Sequence, residues 1–363
     1  MTDSPDENIK SAVAAIIDPH TGVSLGDGKS LGDMGVTPTG MEIRLTLGYP
    51  ATGWHDELRG LVRGAVADAG YSGDVQVAIE TKVVAHEVQK GVTPIKGVKN
   101  IIAVASGKGG VGKSTVSSNL ALALAAEGAA AGILDADIYG PSQPRMLGIS
   151  GRPQSSDGKT LEPMISYELQ AMSIGFLIDD DTPMIWRGPM VTQALEQLLN
   201  DTQWRELDYL VIDLPPGTGD TQLTLAQKVP VSGAAIVTTP QDIALLDARK
   251  ALKMFEKVEI PVLGVIENMS THICSKCGHE EAIFGTGGGE RMASEYGVDI
   301  LGGIPLDIRI REDADGGRPT VVADPDGAVA ANYRRIARQV AGRLAARKRN
   351  YSEVFPSIVV QNT

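Results

Sequence analysis

Residues 106–115 read SGKGGVGKST, and within them residues 107–114 fit the spacing Gly-x-x-x-x-Gly-Lys-Ser. The short apolar run IIAVA at residues 101–105 precedes this stretch, and a helical pattern follows it. Glycines let backbone N–H groups turn inward and cradle phosphate oxygens, and the following helix aims the positive end of its dipole at the same point. The order of strand, loop and helix therefore predicts a phosphate-binding loop rather than a glycine-rich turn without a ligand.

The loop residues have separate expected roles in binding a nucleoside triphosphate. We expect Lys113 to contact the β- and γ-phosphates and Ser114 to hold Mg²⁺. Lys108 is a second lysine, which a single loop of this kind does not need. We favour a role in reaching the nucleotide of a facing subunit, and the alternative is a solvent-exposed lysine that tunes the local potential. The predicted nucleotide-binding residues of the loop are Gly107, Lys108, Gly109, Gly110, Val111, Gly112, Lys113, Ser114 and Thr115.

Three aspartates stand at the ends of two further apolar runs. YLVIDLPPGTGD brings Asp213 to the end of one run, where a carboxylate can hold a water on Mg²⁺. GILDADIYGPS brings Asp135 and Asp137 to the end of another, and of these we favour Asp137 for orienting the attacking water. An aspartate at such a position, taken alone, is also a common helix cap. Ligands of doubly wound sheets bind beyond the carboxyl ends of the strands, so all three should share one edge with the loop.

The region from residue 100 to 350 alternates short apolar runs with helical patterns. Runs of this kind are typical of parallel strands buried on both faces. The alternation predicts a doubly wound, mostly parallel α/β sheet with helices on both faces, forming the P-loop NTPase domain. The runs lie at residues 101–105, 131–134, 209–212, 234–237, 262–266 and 300–304.

The flanking regions have other patterns. Residues 41–47 and 75–79 alternate as half-buried strands do, with helical spacing between them, which predicts a small α/β domain over residues 1–88. A polar stretch with glycines and a proline predicts a linker at 89–99, and a tail is expected at 351–363. The last helix has one apolar face from Val329 to Leu344. We expect its arginines, including Arg334, Arg335 and Arg338, on a solvated face, with a membrane or partner contact as the alternative.

The composition of the chain limits its partners and its setting. It has 363 residues with 42% hydrophobic and 21% charged content, and its net charge is −12. Such a charge opposes broad attraction to nucleic acid or anionic lipid, so we expect neither as a partner. The start MTDSPDENIK is unlike a signal peptide, and no apolar run approaches the ~20 residues of a membrane span. With two cysteines in so long a chain, we expect a reducing, cytoplasmic setting.

Residues 272–279 read HICSKCGH and contain both cysteines of the chain, Cys274 and Cys277. Two thiolates at this spacing are half of a metal site. Completing it with His272 and His279 would require four ligands from eight residues to close a tetrahedron. A two-fold dimer would instead bring an identical pair and make a Cys₄ site. The dimer-bridging site is favoured, and single-chain zinc, a redox disulfide or a bare turn remain alternatives.

The motifs together resemble the Mrp/ApbC iron–sulfur cluster carriers. These belong to the deviant Walker A ATPases, a group that includes MinD, ParA and the nitrogenase iron protein. The resemblance runs from Val98 to at least Arg318 and is specific in order and spacing. The motifs that carry it are VKNIIAVASGKGGVGKST, LDADIYGPS, WRGPM, DYLVIDLPPGTGD, VTTPQDIALLDARK, ENMS, HICSKCGH, IFGTGGGE and IPLDIRIRED.

The resemblance implies a function and a set of site residues. It implies a homodimer that binds and hydrolyses ATP and transfers an iron–sulfur cluster, expected as 4Fe–4S bridging the dimer, between an assembly scaffold and client apoproteins. Lys108 would be the signature lysine, Asp137 the switch aspartate and Asp213 the Walker B residue. Asn268 would lie near the adenine, and the two cysteines would ligate the cluster. The alternatives are a ParA- or MinD-like positioning ATPase acting on DNA or membrane, and a zinc-stabilised interaction protein with a weak ATPase.

The N-terminal unit resembles the small MIP18-like domain that is often fused to these carriers. The similarity runs from DPHTG at residues 18–22 through the helix near Leu58. Some members carry a cysteine after the central strand, where this chain has GYPATGWHDE and none. We therefore expect this domain to recruit or dock a partner rather than to bind metal itself.

Overall fold

The computed structural model describes residues 5–178, 188–274 and 276–347. The predicted tail at 351–363 and the first two residues of the WRGPM motif lie outside these ranges, as do the outermost residues of both predicted domains. The helices are α1 (Pro5–Ala14), α2 (His55–Asp68), α3 (Lys113–Ala126), α4 (Gln143–Met146), α5 (Gly188–Asp201), α6 (Asp220–Lys228), α7 (Asp242–Lys257), α8 (Gly288–Tyr296), α9 (Ile308–Asp315), α10 (Thr320–Ala323) and α11 (Ala328–Ala345). The strands are β1 (Leu31–Thr37), β2 (Gly40–Leu47), β3 (Val75–Thr81), β4 (Val98–Ala105), β5 (Ala131–Asp135), β6 (Met164–Ser166), β7 (Leu169–Ser173), β8 (Leu207–Asp213), β9 (Gly233–Thr238), β10 (Val262–Ile273), β11 (Glu280–Glu281) and β12 (Ile300–Leu306).

The large sheet has nine strands within the described ranges. Its parallel part runs in the order β12–β10–β9–β4–β8–β5–β7, with β6 antiparallel to β7 and β11 antiparallel to β10. The strand β4 lies centrally, and later strands add on both sides of it. This arrangement brings the carboxyl ends of β4, β5, β8, β9 and β10 to one edge, where such folds bind ligands.

Helices cover both faces of this sheet. On β4, Ile102 and Val104 face one buried cluster with α3 and α11, whereas Ile101, Ala103 and Ala105 face a second cluster with α5, α6 and α7. Both faces are apolar because both are covered, which explains the continuous apolar runs. The predicted doubly wound α/β class is confirmed. Within the described ranges, no helix combines the length and the apolar character needed to cross a bilayer.

The N-terminal unit is a three-stranded sheet in the order β1–β2–β3. Along β2 the buried side chains alternate with outward ones, as the sequence pattern predicts, and α2 contributes a row of apolar side chains to the same core. The parallel pair β2 and β3 is connected through α2. The buried residues from these elements are Met41, Ile43, Leu45, Leu47, Leu58, Val62, Val66, Val75 and Val77. The sequence limits proposed for the domains and the linker stay predictions.

A buried carboxylate connects the small unit to the far end of the P-loop helix. Glu127 directly follows α3 and is 1% exposed. Its side chain accepts a hydrogen bond from the Gly53 backbone N–H at 2.8 Å, and its backbone carbonyl accepts one from the Thr52 hydroxyl at 2.9 Å. The Arg338 guanidinium of α11 donates to the Glu127 carboxylate at 2.6 Å. Residues from three parts of the chain therefore meet at one negative charge.

The expected solvated arginine face of α11 is wrong for two of its three named residues. Arg335 is exposed. The Arg338 side chain, in contrast, is only 14% exposed, and Arg334 Nε lies 3.6 Å from Glu127 Oε1. Arg338 also donates to the His20 ring at 3.3 Å. The physical reason is that a carboxylate removed from water needs cationic partners, and α11 supplies them. Helical spacing identified the polar face without revealing that part of it is covered.

We predict that Glu127→Ala lowers the free energy of unfolding by about 3 kcal/mol, because it leaves the Arg338 guanidinium in a largely buried position without its carboxylate. Chemical denaturation followed by circular dichroism measures the change. Asp56→Ala is the matched control, since Asp56 pairs with Arg59 in an almost fully exposed position. A loss for Glu127→Ala no larger than that of the control would contradict a structural role for the buried pair.

Candidate functional site

The phosphate-binding loop joins the end of β4 at Ala105 to the start of α3 at Lys113. Two of its glycines are required by close approach. A Cβ on Gly107 would overlap the backbone of Asp247, and one on Gly112 would overlap the Asn268 side-chain amide. Gly112 also has a φ of +81°, a left-handed conformation that side chains rarely adopt. The loop therefore packs against α7 and β10 through its backbone.

Lys113 and Asp213, predicted from separate motifs, form a buried ion pair. The Lys113 Nζ atom lies 2.5 Å from Asp213 Oδ1, and the two side chains are 6% and 0% exposed. The Ser117 hydroxyl donates to the same carboxylate oxygen at 2.8 Å, and Lys113 Nζ lies 3.3 Å from the Ser114 hydroxyl. The strand end, the loop lysine and the first turn of α3 are thus brought together as the sequence predicts.

The two aspartates after β5 have different surroundings. Asp135 is fully buried, and its carboxylate accepts from the backbone N–H groups of Asp137, Ser142 and Gln143. Burial and the neighbouring carboxylate of Asp213 raise the pKa of Asp135 well above its ordinary value. Asp137 is half-buried, and burial raises its pKa while the Lys113 cation opposes this shift. Asp135 therefore holds the backbone of the segment that follows β5. The Asp137 carboxylate, in contrast, remains partly accessible and close to Lys113.

Gln143 is a site residue that the sequence interpretation missed. It is the first residue of α4 and is 1% exposed. Its side-chain Nε2 donates to the Ser114 carbonyl at 3.1 Å and to Asp213 Oδ2 at 3.0 Å. The sequence does contain a signal for this role. Gln143 is a polar residue at the start of a helix, shortly after the strand-end Asp135. The LDADIYGPS motif ends one residue before it.

The remaining loop residues and Asn268 have mixed positions. Lys108 is half-buried, and its carbonyl accepts from the Ser106 hydroxyl at 2.9 Å. Gly109 and Gly110 are exposed, and Thr115 is half-buried in the first turn of α3. The Asn268 side chain is 7% exposed and donates to the Val111 carbonyl at 2.8 Å. Asn268 therefore supports the phosphate-binding loop. That Asn268 lies near an adenine stays a prediction. The role of Lys108 across a dimer likewise stays a prediction.

Cys274 and Cys277 lie in the turn between β10 and β11. The Cys274 N–H donates to the His279 carbonyl, and the Gly278 N–H donates to the Cys274 carbonyl, both at 2.9 Å. Both cysteines are free thiols, the first half-buried and the second exposed. The backbone N–H groups of Lys276 and Cys277, with the Cys277 thiol, lower the pKa of Cys274. The turn therefore favours the thiolate, which is the form that binds metals.

Among the residues that the structure describes, the two histidines near this turn do not complete a four-ligand set with the cysteines. His272 lies on β10, with its Nδ1 atom 3.1 Å from the Leu306 carbonyl. Within residues 5–178, 188–274 and 276–347, no group of three or more His, Cys, Asp or Glu side chains could hold a metal ion. In this part of the chain the turn presents two thiols, with no third side chain of these types grouped with them.

Comparisons with known proteins agree with this geometry. A family model described as ParA, NUBPL iron-transfer P-loop NTPase, matches residues 97–341. The iron-sulfur cluster carrier protein of Pseudomonas fragi is 57% identical over 279 residues, which cover 76% of this chain and 97% of that protein. The protein of the same name from Escherichia coli (strain K12) is 62% identical over 251 residues, covering 69% of this chain and 68% of that one.

A solved structure is also similar. The nucleotide-binding protein from Archaeoglobus fulgidus, in complex with ADP, is 37% identical and aligns with a TM-score of 0.56, covering 65% of this chain and 91% of that one. These findings confirm the resemblance drawn from the motifs. The family match extends over more than half of the chain and includes the loop, the aspartates and the cysteine turn. The chain belongs to the NUBPL iron-transfer family of ParA-type P-loop NTPases.

Proposed function

We propose that this protein is an ATP-dependent iron–sulfur cluster carrier, which binds a cluster between two copies of the chain and transfers it to client apoproteins. The observation that carries the proposal is the cysteine turn at the end of β10. The same strand holds Asn268, whose amide contacts the phosphate-binding loop. Cys274 follows six residues later in the sequence. A half-site for a metal group and a nucleotide loop are therefore supported by one strand.

The number of ligands supports a shared cluster. A cubane iron–sulfur cluster takes four thiolates, and this chain has two cysteines in total. A two-fold axis near the turn would bring a second, identical pair. Four thiolates alone also suit zinc. The names of the Pseudomonas fragi and Escherichia coli relatives favour the iron–sulfur cluster as the cargo.

The distribution of exposed apolar side chains supports a homodimer. Tyr139 follows β5 and is 60% exposed, and Ile243 follows β9 and is 70% exposed. Of the others, one lies in α7 after β9, one is the last residue of β10, and two follow β11 and β12. Large apolar side chains that form a contiguous exposed patch mark protein–protein contacts, and we propose that these residues form such a patch at the dimer interface. The further members of this set are Leu246, Ile273, Ile283 and Ile308.

The nucleotide residues fit ATP hydrolysis. We infer that Lys113 exchanges the Asp213 carboxylate for the β- and γ-phosphates when ATP binds, and that the Ser114 hydroxyl and Asp213 then hold Mg²⁺ and its water. When bound, Mg²⁺ would supply positive charge that neutralises the phosphates. Water oriented by Asp137 attacks the γ-phosphorus and passes its proton to the phosphate that forms. The bond to the bridging oxygen breaks with its electron pair remaining on ADP, and ADP and phosphate leave. Lys108 of the facing copy stabilises the charge that develops. The ADP complex of the Archaeoglobus fulgidus relative supports nucleotide binding.

The remaining partners follow from the carrier role. A carrier receives its cluster from an assembly scaffold and gives it to apoproteins, and we propose both as partners. We also propose that the small N-terminal unit recruits one of them. It has no cysteine, since both cysteines of the chain lie in the turn. A cytoplasmic setting stays a prediction.

We predict that Cys274→Ser and Cys277→Ser each lose or destabilise the cluster, because each removes two of the four shared ligands from a dimer. Anaerobic reconstitution, followed by visible absorption and by iron and sulfide counts per chain, measures this. Cluster transfer to an apoprotein should fail when the cluster is lost. ATP binding should persist, because the phosphate-binding loop is a separate part of the chain.

The matched controls for the cysteine variants are His272→Ala and His279→Ala, which change the residues that flank the turn. Both should keep the cluster, since a Cys₄ site needs neither ring. A colourless monomer that holds one zinc ion through both histidines would contradict the carrier proposal and would leave an ATPase with a zinc-stabilised turn.

We predict that mixed dimers of Lys108→Ala and Asp137→Ala chains recover about half of the wild-type ATPase rate, since one of the two composite sites is then intact. Each variant alone should hydrolyse ATP poorly. The control mixes Asp137→Ala with Lys113→Ala, which damages both sites in any pairing. The absence of recovery in mixed dimers of verified composition would contradict a lysine that acts across the interface.

A further inference from the structure

The side chain of Gln143 connects two parts of the nucleotide site. Its Nε2 atom donates to the Ser114 carbonyl at 3.1 Å, in the first turn of α3, and to Asp213 Oδ2 at 3.0 Å, at the end of β8. These are the two residues proposed to hold Mg²⁺ and its water. A single amide therefore fixes the distance between them.

The backbone of Gln143 is held as firmly as its side chain. Its N–H donates to Asp135 Oδ2 at 3.0 Å, and the same oxygen accepts from the Ser142 N–H at 2.9 Å. Asp135 and Asp213 are neighbours across β5 and β8. The segment that carries Asp137 thus begins at Asp135 and returns to the Asp135 carboxylate at Gln143, which anchors the backbone of Gln143 beside the site.

The other atom of the amide has no hydrogen-bond partner among the residues that the structure describes. Gln143 Oε1 is buried and accepts no hydrogen bond from any of them, although Nε2 donates two. The amide orientation is not ambiguous, because both atoms facing Nε2 are acceptors, which an oxygen in that position could not satisfy. A buried acceptor without a donor is costly and is uncommon in proteins. Gln143 Oε1 is therefore available to accept a hydrogen bond from a ligand that binds in the site.

We propose that Gln143 is a positioning residue for Mg²⁺, whose Nε2 aligns Asp213 with the first turn of α3 and whose Oε1 accepts a hydrogen bond from a metal-bound water. The inference rests on the proposed binding of ATP with Mg²⁺. Mg²⁺ in nucleotide sites keeps several of its waters, and these waters are donors that seek protein oxygens. The neutral amide provides such an oxygen without adding a further negative charge beside the carboxyl groups of Asp135 and Asp213.

The test replaces Gln143 by methionine, which has a similar length and an apolar side chain but no amide. Binding of a fluorescent, non-hydrolysable ATP analogue is measured as Mg²⁺ is titrated, so that no turnover is required. The Mg²⁺ concentration at half-maximal effect should rise about tenfold in Gln143→Met, the usual effect of losing one hydrogen bond to a charged group. Binding without Mg²⁺ should stay within about twofold of wild type, because Lys113 and the loop are unchanged.

A second variant and a control separate this role from simple loss of packing. Gln143→Asn keeps the polar group but is one carbon shorter, so it should shift the midpoint in the same direction. Gln89→Met is the matched control, because Gln89 Nε2 also donates to two carbonyls, those of Ala226 and Val229, both at 2.7 Å. That glutamine lies outside the nucleotide site, and its variant should leave the midpoint unchanged.

The outcomes distinguish this inference from the proposed function. An unchanged Mg²⁺ midpoint in both Gln143 variants, with a normal wild-type response, would overturn the positioning role alone. Equal weakening of binding with and without Mg²⁺ would assign Gln143 to the support of the loop and would also overturn it. A wild-type protein that does not respond to Mg²⁺ at all would instead overturn the proposed ATP site.

Discussion

The ion pair between Lys113 and Asp213 is the interaction on which the nucleotide end of the molecule depends. Both side chains are almost completely buried, so each charge needs an opposite charge beside it. The pair can form because β4 and β8 are adjacent and parallel, which brings the strand-end carboxylate beside the start of α3. In the proposed cycle, phosphate oxygens compete with Asp213 for the lysine. The freed carboxylate then becomes available to Mg²⁺ and its water, so nucleotide binding rearranges charge that is already present.

The strand β10 extends this arrangement to the cysteine turn. Asn268 contacts the loop carbonyl of Val111, and the next residue, Met269, has a φ of +56°, a strained value for a side chain with a Cβ. The register of β10 against β12 shifts just beyond this point, before the strand turns toward Cys274. A displacement of the loop on nucleotide binding would therefore act directly on the strand that presents the thiols. At the opposite end of α3, Glu127 connects the same helix to the small N-terminal unit.

Local patterns predicted those parts of the structure that local chemistry determines. The glycine spacing, the strand-end aspartates and the apolar runs all correspond to elements of the observed sheet, because loop conformation and burial leave a direct record in the sequence. Helical spacing predicts Arg338 on the solvated face, because spacing does not reveal which distant carboxylate a polar face meets. The local signal at Gln143 does not reveal its importance, because that importance depends on three separate elements that meet only after folding. The second pair of thiolates lies, in the proposal, on another molecule, and one chain cannot reveal how two copies meet.

Native mass spectrometry of the anaerobically reconstituted wild-type protein tests the central claim, that two chains share one cluster, most directly. The account predicts one dominant species with the mass of two chains and a single four-iron cluster, with monomers appearing free of cluster when the dimer is dissociated. Each thiolate pair alone is too small a ligand set to retain the cluster. A monomer that retains a complete metal site, or a dimer with one separate metal site on each chain, would contradict it.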